Sequence, residues 1–417
     1  MRKLTLAMAL IMAAGSLSIQ AKTRKALYVI MDGVSRSFLH QTHPATIFDI
    51  AGTGSYADAY AGGEIGGTSQ SPTISAIGYT NILTGTWMNK HNVQGNSNIK
   101  TNYNYWSLFR MAKAQKRNVK TALFSSWTDN RTLLVGEDKP EAGNVKIDYV
   151  YDGYDLDTLR FPHKPAELHV YDIDSVVCRR AAECIKKDAP DMSWVYLWYT
   201  DDAFHITGYS TFSHDYLIRE DRLLSQIWEA IKWREKNYDE EWLLIVTTDH
   251  GREEHGFNHG GQSEGERDIW MVTNRRDMND EWGSTSLSQV DIAPSICRYL
   301  NFELPRDVEW EMDGVPFFGN ADIYGLTTTA FDDKVILKWN TFKGCDGDAE
   351  IYISTTNNFR TGGTDNWQKV GSVKATEKQY TVDLGKYPGT KDYKFVVATR
   401  NNHLTRWFKK VDSYLKK

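Results

Sequence analysis

Short apolar runs alternate with longer segments of helical period along most of this chain. Residues 26–31, 119–124, 194–199, 243–248 and 269–273 are apolar at nearly every position. Such runs, without polar alternation, predict parallel strands buried on both faces. Between them, residues 103–116, 175–187, 213–236 and 287–300 repeat apolar side chains at three- and four-residue spacing, which predicts helices. This alternation predicts an α/β fold, a mostly parallel sheet sandwiched by helices. In such folds chemistry gathers at the carboxyl ends of the strands.

The rhythm changes near residue 323. Residues 334–340, 350–354, 367–373, 379–384 and 392–399 alternate as strands do, with glycine-rich turns between them. They predict a small all-β sandwich over 323–417, similar in size and strand rhythm to a fibronectin type III module. The catalytic part is then expected over 22–322. At the other end, Arg2 and Lys3, an apolar run over 4–14 and small residues ending at Ala21 read as a secretory signal, residues 1–21. The expectation is an exported protein, periplasmic or secreted. No later stretch has the apolar length needed to span a bilayer.

Lys and Arg number 49 against 54 Asp and Glu, a net charge of −5. That balance offers no global attraction to nucleic acid or anionic membrane, and no binding to duplex DNA is expected. Export permits disulfides. Cys178 and Cys184 would point to different faces of one helix, and neither they nor Cys297 and Cys345 show zinc-knuckle spacing. The expectation is buried free thiols.

Three predicted strands run into metal-ligand residue types. Asp32 follows the first, Asp201 and His205 follow 194–199, and Asp249 and His250 follow 243–248, with His259 nine residues later. One Asp after a strand is an ordinary helix cap. Three strand ends carrying Asp, two of them with His, suit a pair of zinc ions, which favour His nitrogen and carboxylate oxygen. Ser75 opens a further helical segment that Gly85 ends. Free N–H groups at such a start attract phosphate. Ser is also a common N-cap, and next to this ligand set the anion-binding reading is favoured.

Asp32, Ser75, Asp201, His205, Asp249-His250 and His259 together resemble the alkaline-phosphatase superfamily, in its type I phosphodiesterase/nucleotide pyrophosphatase branch. There the nucleophilic Thr or Ser stands ten residues before the Gly of a Thr-Gly pair, as Ser75 does before Gly85. Val290 to Ile296 and Met312-Asp313-Gly314 resemble the late helix and closing turn of the superfamily. The resemblance implies two Zn²⁺ per chain, other divalent metals being possible. Asp201, His205 and His259 would hold one ion, and Asp32, Asp249 and His250 the other, with Ser75 completing its shell as nucleophile. His255 competes with His259, whose following glycines match the family better; His91 and His214 are assigned local hydrogen bonds.

The chain also departs from the branch, which carries Phe-Pro-Asn after the nucleophile. Ala76, Ile77 and Gly78 stand there, so oxygen binding must come from backbone N–H groups or another residue. Ile77 and Tyr79 replace the Pro and Arg of sulfatases, and Ile74 the acidic residue of monoester-selective phosphatases. The implied activity is hydrolysis of a small phosphate ester, a diester or a nucleotide, through a phosphoseryl intermediate. Alternatives are a phosphomonoesterase or phosphonate hydrolase on the same metals, or a catalytically silent binding protein displaying an adhesion module. Tyr154, Trp198 and Tyr209 could stack a base, core or rim being the preferred reading. The β tail is expected to pack against the catalytic part rather than bind glycan.

Overall fold

The computed structural model describes residues 22–410; the predicted export signal lies outside the described residues. Seven strands form one sheet: β1 (Thr23–Met31), β2 (Ser55–Tyr60), β3 (Thr121–Ser125), β4 (Tyr149–Tyr151), β5 (Met192–Leu197), β6 (Glu240–Thr247) and β7 (Asp268–Thr273). Their order is β2-β7-β6-β1-β5-β3-β4. β1 pairs in parallel with β5 and β6, and β3 with β5 and β4.

Both faces of the sheet are covered, which is why its strands read as unbroken apolar runs. Ala26, Tyr28 and Ile30 join Ile82, Leu83 and Ile296 on one side. Leu27, Val29 and Met31 join Leu224, Ile227 and Ile231 on the other. Each such fully buried Leu or Ile contributes roughly 1.5–3 kcal/mol through burial.

The predicted strand over 269–273 forms, but as β7 it runs antiparallel to β6 and pairs antiparallel with β2. A parallel return needs a crossover of about a dozen residues or more, usually a helix. The segment between β6 and β7 carries only the single-turn helix Glu264–Arg267, and otherwise builds the site described below. The helices Leu168–Lys187 and Thr211–Asn237 extend the predicted ones. The segment 103–116 forms helix only over Leu108–Lys113, where Ser107 caps the Arg110 N–H. The segment 287–300 divides at Asp291 into a 3-10 turn and the helix Ile292–Tyr299.

The tail folds as two antiparallel sheets. β8 (Ile323–Phe331), β9 (Lys334–Thr341) and β12 (Gln379–Asp383) make one; β10 (Asp348–Ser354), β11 (Trp367–Lys374), β13 (Asp392–Ala398) and β14 (His403–Lys409) make the other. Leu337, Trp339, Ile351, Ile353, Phe395 and Val397 fill the space between them. The tail is tied to the α/β part by buried Lys394, which pairs with Glu311 across the boundary and with Asp365 of the tail itself at 2.6 Å. All four cysteines are free; Cys178, Cys184 and Cys297 are buried as expected, whereas Cys345, on a turn, is only partly so.

Candidate metal centre

β5, β1 and β6 are neighbours, and their registers set Leu197 level with Met31 and Thr247 level with Ile30 at the carboxyl edge. The residues that follow therefore emerge side by side. Asp32 follows β1 directly, its N–H bonded to the Leu197 carbonyl at 3.1 Å. After β5 the chain turns at once into the helix Tyr199–Thr207, so the predicted strand over 194–199 ends at Leu197. Buried Asp174 causes that turn by accepting the N–H groups of Trp198 and Tyr199 at 3.1 and 2.7 Å. Asp201 and His205 then lie one helical turn apart, His205 Nε2 standing 3.2 Å from Asp201 Oδ2. Asp249 and His250 follow β6.

The six predicted ligands converge. Ligand atoms of Asp32, Asp249 and His250 lie within 4.8 Å of one another, and so do those of Asp201, His250 and His259. His205 stands at the outer edge, its Nε2 3.2 Å from His259 Nε2. His250 and His259 stack with ring centroids 3.7 Å apart, so His250 is within reach of both groups. His255 is exposed. His91 is buried against Asn81 Oδ1 at 2.7 Å, and His214 stands beside Asp215 at the surface.

The hydrogen bonds around these groups decide what they can hold. His250 Nδ1 faces the Gly251 carbonyl at 2.9 Å and His259 Nδ1 the Thr73 carbonyl at 2.7 Å. A carbonyl only accepts, so each Nδ1 carries the proton and each neutral ring turns an Nε2 lone pair inward. His250 Nε2 meets Asp249 Oδ2 at 3.2 Å and Asp32 Oδ1 at 3.5 Å. Both of those oxygens are buried and without a hydrogen-bond partner. Lone pairs thus face lone pairs with no proton donor between them, an arrangement that a bound cation resolves and that fits zinc. The charges are costly as they stand. Burial, with Asp249 and Asp201 nearby, pushes the Asp32 carboxyl well up. Burial likewise pushes Asp249 up to about 7 and the His250 ring well down.

Ser75 begins the helix Ser75–Thr84, but the N-cap is Ile74, and Ser75 is not a capping serine. Its hydroxyl instead meets His250 Nε2 at 3.3 Å. The helix is buried along its whole length and rests on the end of β6. Gly78 permits that approach: a Cβ there would stand 2.8 Å from Asp249 Cβ and 2.9 Å from its carbonyl oxygen. A larger residue at this position would have to push Asp249 aside.

Four features escaped sequence reasoning. Tyr79 and Tyr196 both donate to Asp32 Oδ2, Tyr196 at 2.7 Å, leaving Oδ1 for the centre. Arg252 is buried and pairs with Asp201. Burial alone would raise the Asp201 carboxyl; Arg252 and His205 instead hold it well below the usual range. Asn96 accepts the Ala76 N–H at 2.9 Å and lines a cleft of about 260 Å³ beside Ser75. Trp127 and Trp198 line the same cleft. Of the three aromatics singled out from sequence, only Trp198 does so; Tyr209 stacks on Phe38 and Tyr154 packs on Phe161.

Strand order, the ligands at the strand ends and the buried helix start define an alkaline-phosphatase-like protein. A sequence model of the family "Type I phosphodiesterase / nucleotide pyrophosphatase" matches residues 27–261, and the chain belongs to that family of metal-dependent phosphoester hydrolases. Among solved structures it is similar to murine ectonucleotide pyrophosphatase / phosphodiesterase 5, in an inactive form with AMP, at 13% identity and TM-score 0.45, over 68% of this chain and 96% of that one. It is similar to Ps i-CgsB in complex with k-i-k-neocarrahexaose at 14% identity and TM-score 0.49, over 78% and 86%. A 2-O GAG sulfatase follows at 10% identity and TM-score 0.47, over 88% and 86%. No curated protein sequence matches the chain significantly.

Proposed function

We propose that this protein is an exported two-zinc hydrolase of phosphodiesters or pyrophosphates, with Ser75 as nucleophile. The observation that carries the reading is the convergence of Asp32, Asp201, Asp249, His250 and His259 next to the Ser75 hydroxyl, with unpartnered buried oxygens of Asp32 and Asp249 facing the His250 Nε2 lone pair. Ions held there would lower the pKa of that hydroxyl and balance charge on the entering and leaving oxygens.

The chain's own residues do the rest. Ser75 stands in the first helical turn, whose free N–H groups favour an anionic phosphoryl group. Asn96 spends its Oδ1 on the Ala76 N–H, so its NH₂ remains as a donor at the cleft. It is the candidate for the oxygen-binding role that the residues directly after Ser75 cannot fill. Trp127 and Trp198 offer faces to a second substituent.

The cleft lining contains no Lys or Arg. The doubly charged terminal group of a monoester would find no cationic side chain there, whereas a diester carries one charge and a group that the tryptophans can cover. Rates on matched aryl monoesters and diesters test the preference. At least tenfold higher kcat/KM is expected for the diester; an equal or faster monoester would contradict it. Absence of turnover on both, in zinc-loaded protein, would favour the silent binding protein.

A further inference from the structure

Outside this centre, one other group of side chains among the described residues has metal-ligand geometry. His163, Glu167 and His169 flank the turn that leads into the helix Leu168–Lys187, and their ligand atoms lie within 4.8 Å of one another. We propose that they form a separate zinc site. His169 is nine-tenths buried, and its Nδ1 has no hydrogen-bond partner. That atom stands 3.5 Å from Glu167 Oε2, and His163 Nδ1 is 3.9 Å from the same oxygen. Bonds of about 2.0–2.2 Å to one tetrahedral ion separate its ligand atoms by roughly 3.3–3.6 Å. Little movement closes the site, and His163, being exposed, is free to make it.

The donor set selects the metal. Two imidazoles and a carboxylate suit zinc, whereas calcium and magnesium require more oxygen ligands. The neighbouring cation does not take its place, because Lys164 is paired with Asp172. The turn itself passes through two consecutive left-handed residues, Ala166 and Glu167, with φ of 53° and 51°.

The site would brace the catalytic helix. The Tyr199 hydroxyl donates to the Ala166 carbonyl at 2.9 Å, and Tyr199, Val170 and Ala203 pack together. An ion at residues 163–169 would therefore pin the turn against the helix that carries Asp201 and His205. It would act on stability without touching substrate.

The test is zinc stoichiometry and zinc-dependent melting of the full chain, for wild type, His163→Ala and His163→Ala/Glu167→Gln. Wild type should retain one more zinc per chain than either variant after gel filtration. Its Tm should also keep rising with added zinc after theirs has levelled off. The single variant removes only an exposed side chain, so it keeps the comparison sound if the double variant misfolds. An Asp249→Asn/His259→Asn protein should keep the extra ion, which separates this site from the proposed catalytic one. Equal zinc content in wild type and His163→Ala would overturn the proposal.

Discussion

Arg252 reaches back across the strand ends to Asp201: its guanidinium pairs with the Asp201 carboxylate while its Nε donates to the Gly33 carbonyl at 2.9 Å. It is buried, and its carbon lies 4.8 Å from the centre of the Phe204 ring. One side chain thus fixes the loop after β1, the helix after β5 and the loop after β6 relative to one another. Removing it leaves Asp201 buried without its partner. Arg252→Met should cost about 3–5 kcal/mol of stability, the usual penalty for breaking a buried pair. Metal affinity should fall about 10–100-fold, as for outer partners of metal ligands. Thermal melting and zinc titration check both.

Gly78→Ala tests the contact between the Ser75–Thr84 helix and Asp249. In an exposed helix the change would stabilise by roughly 1 kcal/mol. Here the new methyl meets Asp249 at 2.8 Å, and overpacking of this kind costs about 1–3 kcal/mol. The expected result is a lower Tm and lower kcat, because relief of the clash shifts Ser75 away from His250.

Asn96→Ala should lower kcat on a diester by about 10²–10³, the usual loss on removing one preorganised donor to a developing oxyanion. KM should change little, and Asn96→Asp, which keeps the acceptor but loses the donor, should be equally slow. Steady-state kinetics separate the terms.

Asp174 and Glu220 are neighbouring buried carboxyls behind the helix Tyr199–Thr207, and neither Glu220 oxygen has a hydrogen-bond partner. Burial pushes Asp174 up to about 6. Burial and the neighbouring Asp174 push Glu220 well above the usual range. The folded state therefore holds protons that the unfolded state releases, and stability falls as pH rises. Glu220→Gln imitates the protonated acid. Its Tm should match wild type near pH 4, where the unfolded carboxyl is also protonated, and exceed it at pH 7 and above, measured by thermal melting.

Much of the fold was legible because burial on both faces leaves an unambiguous apolar run, as at 26–31 and 243–248. The reversed direction of β7 was not, since a run of apolar residues carries no sign of its neighbour's direction. β8 and β14 were missed because Thr327, Thr328 and Thr329 in one and His403, Thr405 and Arg406 in the other interrupt the apolar alternation. The residues that converge at the centre could be read because strand ends, residue type and spacing coincide. Asn96, Tyr79 and Arg252 could not: each reaches the centre through tertiary contact, with no local pattern to mark it. Gly78 read from sequence only as a departure from the family; its close approach to Asp249 is visible in the structure alone.

The most direct test is metal analysis of wild type and Ser75→Ala beside hydrolysis of a chromogenic phosphodiester. Two zinc ions per chain are expected in both proteins once ions at the His163 turn have been removed by the His163→Ala background. Turnover is expected only where Ser75 is present, and chelation should abolish it. Full activity in Ser75→Ala, or zinc-free protein with undiminished turnover, would contradict the account.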